Sequence, residues 1–141
     1  MYEVAIKELN AFLKGQYMGI HAYENLIQST EDFYLKKELQ KIQQDHKIHA
    51  MRIAERIQNL GGTPVSNEGF RGSIQNYVGK ITAPKSIDEI LRKALKGEEY
   101  YGIHISHEIV EGDLDPQSMQ LVDEILDHDE KHVDTIKKLL H

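Results

Sequence analysis

The chain has no cysteine and no tryptophan, and only three prolines and three phenylalanines in 141 residues. Without cysteine there can be no disulfide framework, no CxxC redox pair, no iron–sulfur cluster and no thiolate zinc knuckle. Any metal must therefore take imidazole, carboxylate or amide ligands. Positive charge is also short: 17 Lys and Arg stand against 23 Asp and Glu, a formal net charge of −6. Such a chain has no overall field to collect phosphate backbones, and nucleic acid is not expected as a partner. No apolar run approaches about 18 residues, and the opening "MYEVAIKELN" alternates charged and apolar residues where a signal peptide would carry an apolar core. No membrane span is expected, and the location expected is the cytoplasm.

What the chain does have is histidine, eight of them, and a strong helical period. A length of 141 residues gives room for one domain around one continuous core, expected over 1–141. Apolar spacings of three and four predict a first helix over about 3–29 through Ala5, Leu9, Leu13, Ile20, Tyr23 and Ile27, with Gln16 on the same stripe. A second, over about 31–60, runs Leu35, Leu39, Ile42, His46, His49, Ile53, Ile57 and Leu60, and Gly61-Gly62 supplies its stop. A third, over about 86–111, uses Ile87, Leu91, Leu95, Glu98, Gly102, Ile105 and Ile109. A fourth, over about 116–140, opens with Asp115 as N-cap and Pro116 behind it and uses Val122, Ile125, Asp129, His132, Ile136 and Leu140.

Residues 61–85 carry five glycines and two of the prolines and read as a connection, with a short helix expected in "FRGSIQNYV". A helix of about 28 residues is about 42 Å long. A connection of about 25 residues can reach about 80 Å, enough to run the length of a bundle. The expected fold is therefore all-α, an antiparallel four-helix bundle of two helical hairpins joined by a long crossover.

The two hairpins repeat. Subtracting 82 from the stripe of helix three returns the stripe of helix one, and subtracting 83 from that of helix four returns positions 39, 42, 46, 49, 53 and 57 of helix two. Polar residues then recur at matching core positions: Gln16 with Glu98, His46 with Asp129, and His49 with His132. The one-residue change of offset falls between "GQYMGIH" and "GEEYYGIH". An extra residue inside a helix makes a π-bulge, and it leaves Glu98 and Glu99 as alternative inward carboxylates.

In an antiparallel hairpin, residues at one height have numbers that sum to twice the turn position. Gln16 with His46 centres on 31, and Glu98 with Asp129 on 113.5, beside the turn signals "STED" and "GDLDP". The six polar residues are thus expected in one layer. Unpartnered buried polar groups cost roughly 1–3 kcal/mol each, so the layer needs a bound metal or a closed hydrogen-bond network. His46 with His49 and Asp129 with His132 are i, i+3 pairs on one helix surface, the arrangement of carboxylate-bridged metal sites in helical bundles.

"LKGQYMGIHAY" and "HAMRIAERIQNLGGTP" resemble the opening and the second helix of bacterioferritins, and "DHDEKHVDTIKKLL" is similar to their last core helix with its E-x-x-H ligand pair. The resemblance covers all four helices and implies a ferritin-like bundle of the bacterioferritin and rubrerythrin kind. Carried over position by position, it implies metal ligation by Gln16, His46, His49, Glu98, Asp129 and His132, with Glu99 as the alternative to Glu98. It implies iron handling or oxidant defence, with ferroxidase-like or peroxidase-like chemistry at non-haem iron. It also implies self-association through helices one and two.

Two departures qualify this. Gln16 and His46 stand where the family has glutamates, and a neutral imidazole with one free lone pair cannot bridge two ions. Glu98 and Asp129 balance one divalent ion. One ion, or two in an asymmetric site, is therefore expected, held chiefly by His49, Glu98, Asp129 and His132 with His46 close by. Zinc or manganese would suit the same ligands as iron. Asp45, four residues before His49, is expected to orient that ring.

Lys47 stands where bacterioferritins place a haem-binding Met, so no haem is expected, and an iron-storage shell is not expected either. His128, one turn before His132, is a further candidate ligand. His21 and His104 are expected at the surface or a helix interface, and His107 and His141 in solvent. Tyr17, Tyr23, Tyr100 and Tyr101 are expected near the layer. The alternative to a metal protein is a non-catalytic binding or structural bundle with a degenerate site; a zinc-dependent hydrolytic site is a third reading.

Overall fold

The structure, a computed structural model, describes residues 1–67, 86–99 and 114–140. The short helix expected within 70–78 and the distal part of helix three lie outside the described residues, as do Tyr100, Tyr101, His104, His107 and His141. Four helices form an all-α bundle: α1 (Glu3–Ser29), α2 (Phe33–Asn59), α3 (Ile87–Lys96) and α4 (Pro116–Leu140). No strand occurs among the described residues.

Local chemistry sets the helix ends. The Asp32 carboxylate accepts from the backbone N–H of Leu35 at 2.7 Å and caps α2. At its far end Gly62 N–H donates to the Ile57 carbonyl and Gly61 N–H to that of Gln58, with Gly61 at φ 90°. This is the Schellman closure, and it requires a left-handed residue at Gly61. At Gly62 a Cβ would stand 2.7 Å from a methyl of Ile6, so the chain passes too close to α1 for a side chain. Ser86 caps α3 through the Glu89 N–H, with Asp88 and Glu89 in the first turn and Lys93 and Lys96 in the last, signs that suit the helix dipole.

The α1–α2 pair is antiparallel: Gln16 meets His46 and Ile20 meets Gln43, so paired numbers keep a nearly constant sum. The α2–α4 pair obeys the same rule, Arg56 meeting Ser118, Arg52 meeting Glu124 and Asp45 meeting His132. At the lower end of this interface Asp115 caps α4 through the Ser118 N–H and takes the Arg56 guanidinium at 2.6 Å.

The core divides in two. One apolar cluster contains Leu9, Phe12, Leu13, Ile20, Ala50, Ile53, Ile57, Val122, Ile125 and Leu126. The other contains Tyr23, Leu26, Leu35, Leu39, Ile42, Ile90, Leu91, Ala94 and Ile136. Each fully buried Leu or Ile contributes roughly 1.5–3 kcal/mol, and truncating one to Ala costs about 2–5 kcal/mol. Along α2 and α4 the residues between the clusters are His46 with His49 and Asp129 with His132, so a polar layer crosses the bundle where the apolar stripes stop.

Candidate metal centre

All six residues expected in the layer are buried: Gln16, His46, His49, Glu98, Asp129 and His132 expose between 0 % and 5 % of their surface. The extra residue of the second hairpin is absorbed in a π-helical turn over 97–99. That turn decides between the two glutamates. Glu98 points inward at 3 % exposure, while Glu99 is exposed and meets Lys137 at 3.3 Å. Glu99 thus stands outside the cluster.

His46 lies at the centre. Its Nδ1 is 2.7 Å from Gln16 Oε1 and its Nε2 2.7 Å from Glu98 Oε1. Both neighbours are acceptors, so both ring nitrogens donate and the ring is an imidazolium. Burial opposes that charge, but the Glu98 carboxylate and its hydrogen bond override burial and raise the His46 pKa to about 9. Burial likewise opposes ionisation of Glu98, yet His46 and His132 hold its carboxyl well below the usual range. The Tyr23 hydroxyl donates to the same Oε1 at 2.7 Å, which pushes the phenol up, burial being the larger cause.

His132 is oriented from outside. Its Nε2 donates to Asp45 Oδ2 at 2.8 Å, so in the neutral ring the Nδ1 lone pair faces inward. Asp45 was expected to hold His49; it holds His132 instead, because on facing helices the residue level with position 45 is 132. The inward Nδ1 of His132 stands 3.7 Å from Glu98 Oε1 and 3.5 Å from Asp129 Oδ1. Burial, with Glu98 nearby, raises the Asp129 pKa to about 7 against the pull of His46 and His132.

His49 stands at the edge. Its Nδ1 lies 4.0 Å from Asp129 Oδ1, while its Nε2 is 3.1 Å from Nδ1 of His128. Burial, and then the neighbouring His46, His128 and His132, lower its pKa to about 4, so it is neutral near pH 7. The contact with His128 was not read from the sequence; the signal available was the one-turn spacing from His132.

Five buried atoms in this layer have no hydrogen-bond partner: His49 Nδ1, Glu98 Oε2, both Asp129 oxygens and His132 Nδ1. His132 Nδ1 stands 3.5 Å and His49 Nδ1 4.0 Å from Asp129 Oδ1, an arrangement that a cation bound between these groups would satisfy. His46, Glu98, Asp129 and His132 each offer one ligand atom, all within 4.8 Å of one another, and could hold a metal ion. The donor set, two carboxylates with imidazole, fits iron, zinc or manganese. His46 can join as a ligand only by giving up one of its two hydrogen bonds.

Comparison with known proteins agrees with this fold. The chain belongs to the family described as "Domain of unknown function (DUF2383)", whose pattern matches residues 4–109. No curated protein matches it in sequence. In structure it is similar to a dodecameric thioferritin, the bacterioferritin-related protein from Bacteroides fragilis, with a TM-score of 0.76, 20% identity, and coverage of 99% of this chain and 86% of that one. It is also similar to a two-domain protein from Anabaena variabilis with DJ-1/ThiJ/PfpI-like and ferritin-like domains, with a TM-score of 0.83, 19% identity, and coverage of 96% of this chain and 38% of that one. The fold is thus a ferritin-like four-helix bundle.

Proposed function

We propose that this chain is a ferritin-like metal-binding protein whose buried layer holds a single divalent ion, iron in the first place, in the service of iron handling or oxidant defence. The observation that carries the reading is the convergence of His132 with the carboxylates of Glu98 and Asp129, all buried, with His132 Nδ1, Glu98 Oε2 and both oxygens of Asp129 lacking a hydrogen-bond partner among the described residues. Glu98, Asp129 and His132 are the proposed ligands. His46 holds Glu98 in place, and His49 borders Asp129.

Charge favours one ion over two. Two carboxylates and the His46 imidazolium leave a net charge of about −1, and Asp45 adds another at the rim. One divalent ion is balanced by these, whereas two would leave a large excess of positive charge in a buried layer. Iron bound there would supply one-electron chemistry toward O2 or peroxide. The residues themselves exclude bulk water, orient the ligands and keep the charge balanced.

Elemental analysis of freshly purified protein, beside His132→Ala and Asp129→Ala, tests the reading. About one metal ion per chain in the wild type and little in either variant is the expected result. Anaerobic Fe(II) titration followed by air then tests the redox role, through the growth of a ferric absorption band. Equal sub-stoichiometric metal in all three proteins would end the proposal.

The second reading, a non-catalytic bundle with a degenerate site, is favoured by one contact. Gln16, His46 and Glu98 already close a hydrogen-bonded network without metal. Under either reading we propose a cytoplasmic homo-oligomer. Among the described residues no helix is long and apolar enough to cross a membrane. The outer side of α2 leaves Phe33, Tyr34, Ile48 and Met51 exposed, apolar area that self-association would cover. Light scattering on the purified chain measures the subunit number.

A further inference from the structure

The four residues of the cluster are sealed, at 0 % to 5 % exposure, so an ion must reach them through a neighbour. Two described contacts lead outward. Asp45 is half exposed and already bound to His132. The other is the pair formed by buried His49 and exposed His128, with Nε2 of the first 3.1 Å from Nδ1 of the second. The rings lie 5.3 Å apart at 16°.

We propose that His128 Nδ1 and His49 Nε2 form an outer cation site for a divalent transition ion, such as zinc, cobalt(II) or iron(II), through which the core is loaded. The role as an entry rests on the core reading above; the site itself does not.

Three observations support it. Two imidazole nitrogens bonded to one ion at about 2.0–2.1 Å stand ~2.9–3.4 Å apart at octahedral to tetrahedral angles, and the observed separation falls inside that span. Two carboxylates flank the pair, Asp45 one turn before His49 and Glu124, which also holds Arg52 at 2.8 Å, one turn before His128. Finally, His49 presents its other nitrogen, Nδ1, to Asp129 Oδ1 at 4.0 Å with no partner of its own.

Proton balance needs no outside base. In the empty pair the two rings share one hydrogen bond. When an ion takes both facing nitrogens, the shared proton leaves that contact and the ring that carried it is protonated at its other nitrogen. For His49 that atom is Nδ1, toward Asp129; for His128 it is Nε2, toward solvent. The number of protons on the pair is unchanged, and His49 then touches both sites at once.

Cobalt(II) titration of the full chain, followed by visible absorption, tests this in the wild type, His128→Ala and Glu98→Gln. The wild type should take two ions per chain and His128→Ala one, with core filling at least tenfold slower in stopped flow. Glu98→Gln should lose the core ion and keep the outer one. His128 is exposed, so its variants should keep full helicity by circular dichroism, and His128→Asn should repeat the loss. An ion count and filling rate in His128→Ala equal to those of the wild type would overturn the outer site, whatever the core does. Two ions retained in Glu98→Gln would overturn the core reading and leave the outer site standing.

Discussion

Asp45 on α2 accepts a hydrogen bond from Nε2 of His132 on α4 at 2.8 Å, and this one contact decides which nitrogen of His132 faces the interior. Carboxylates that hold a ligating imidazole in this way typically contribute 10–100-fold to metal affinity. Asp45→Ala should weaken metal binding by about that factor while helicity by circular dichroism stays the same. Competition with a chromophoric chelator measures it. An unchanged affinity would show that His132 is held by packing alone.

His46 and Glu98 form a buried ion pair at 2.7 Å. Removing one partner of such a pair leaves a charge in a low-dielectric interior and costs about 3–5 kcal/mol. His46→Ala should therefore destabilise the metal-free protein by about that amount in urea unfolding. Added divalent metal should restore part of the loss, because it supplies the positive charge that Glu98 then lacks. Equal destabilisation with and without metal would place the ion elsewhere.

Acidity sets a third expectation. Asp129 carries a pKa raised to about 7, so below that pH a metal ion must displace its proton. Affinity should rise as pH increases from 6 to 8. The stability of the metal-free protein should move the other way. A raised folded pKa contributes stability below the unfolded value and loses it as pH climbs through the folded one. Asp129 loses its share by about 7 and His46 loses its share through about 9. At the acid end His49, lowered to about 4, contributes stability above its unfolded value of 6.5 and loses it as pH falls through 4. Melting curves with and without metal should thus diverge between pH 6 and 9; parallel curves would contradict the assignment.

The foot of the bundle offers a test independent of metal. Asp115 caps α4 and also takes the Arg56 guanidinium, whose Nε donates to Ser118 Oγ at 2.9 Å. Loss of an N-cap together with a partly buried charged hydrogen bond costs about 1–3 kcal/mol. Asp115→Ala should lower stability by that amount and speed amide exchange in the first turn of α4. Metal content should not change, since the layer lies several turns away.

The polar layer was legible because Gln16, His46, His49, Glu98, Asp129 and His132 interrupt apolar stripes that repeat with a fixed offset. Burial of such stripes is a property of period alone, so the all-α bundle and the depth of these residues follow from the sequence. The choice of Glu98 over Glu99 does not. A π turn rotates the following residues by an amount that depends on where in the helix the extra residue is accommodated.

Hydrogen-bond partners within the layer were the least legible. Asp45 was assigned to His49 by its spacing along one helix, yet it reaches across to His132, and His128 reaches back to His49. Spacing along a chain determines which face of a helix a side chain occupies, and that much the sequence settled by itself. Which atoms on facing helices come within 3 Å depends on the axial stagger and separation of α2 and α4. Those follow from the packing of the two apolar clusters on either side, so only the tertiary structure could decide them.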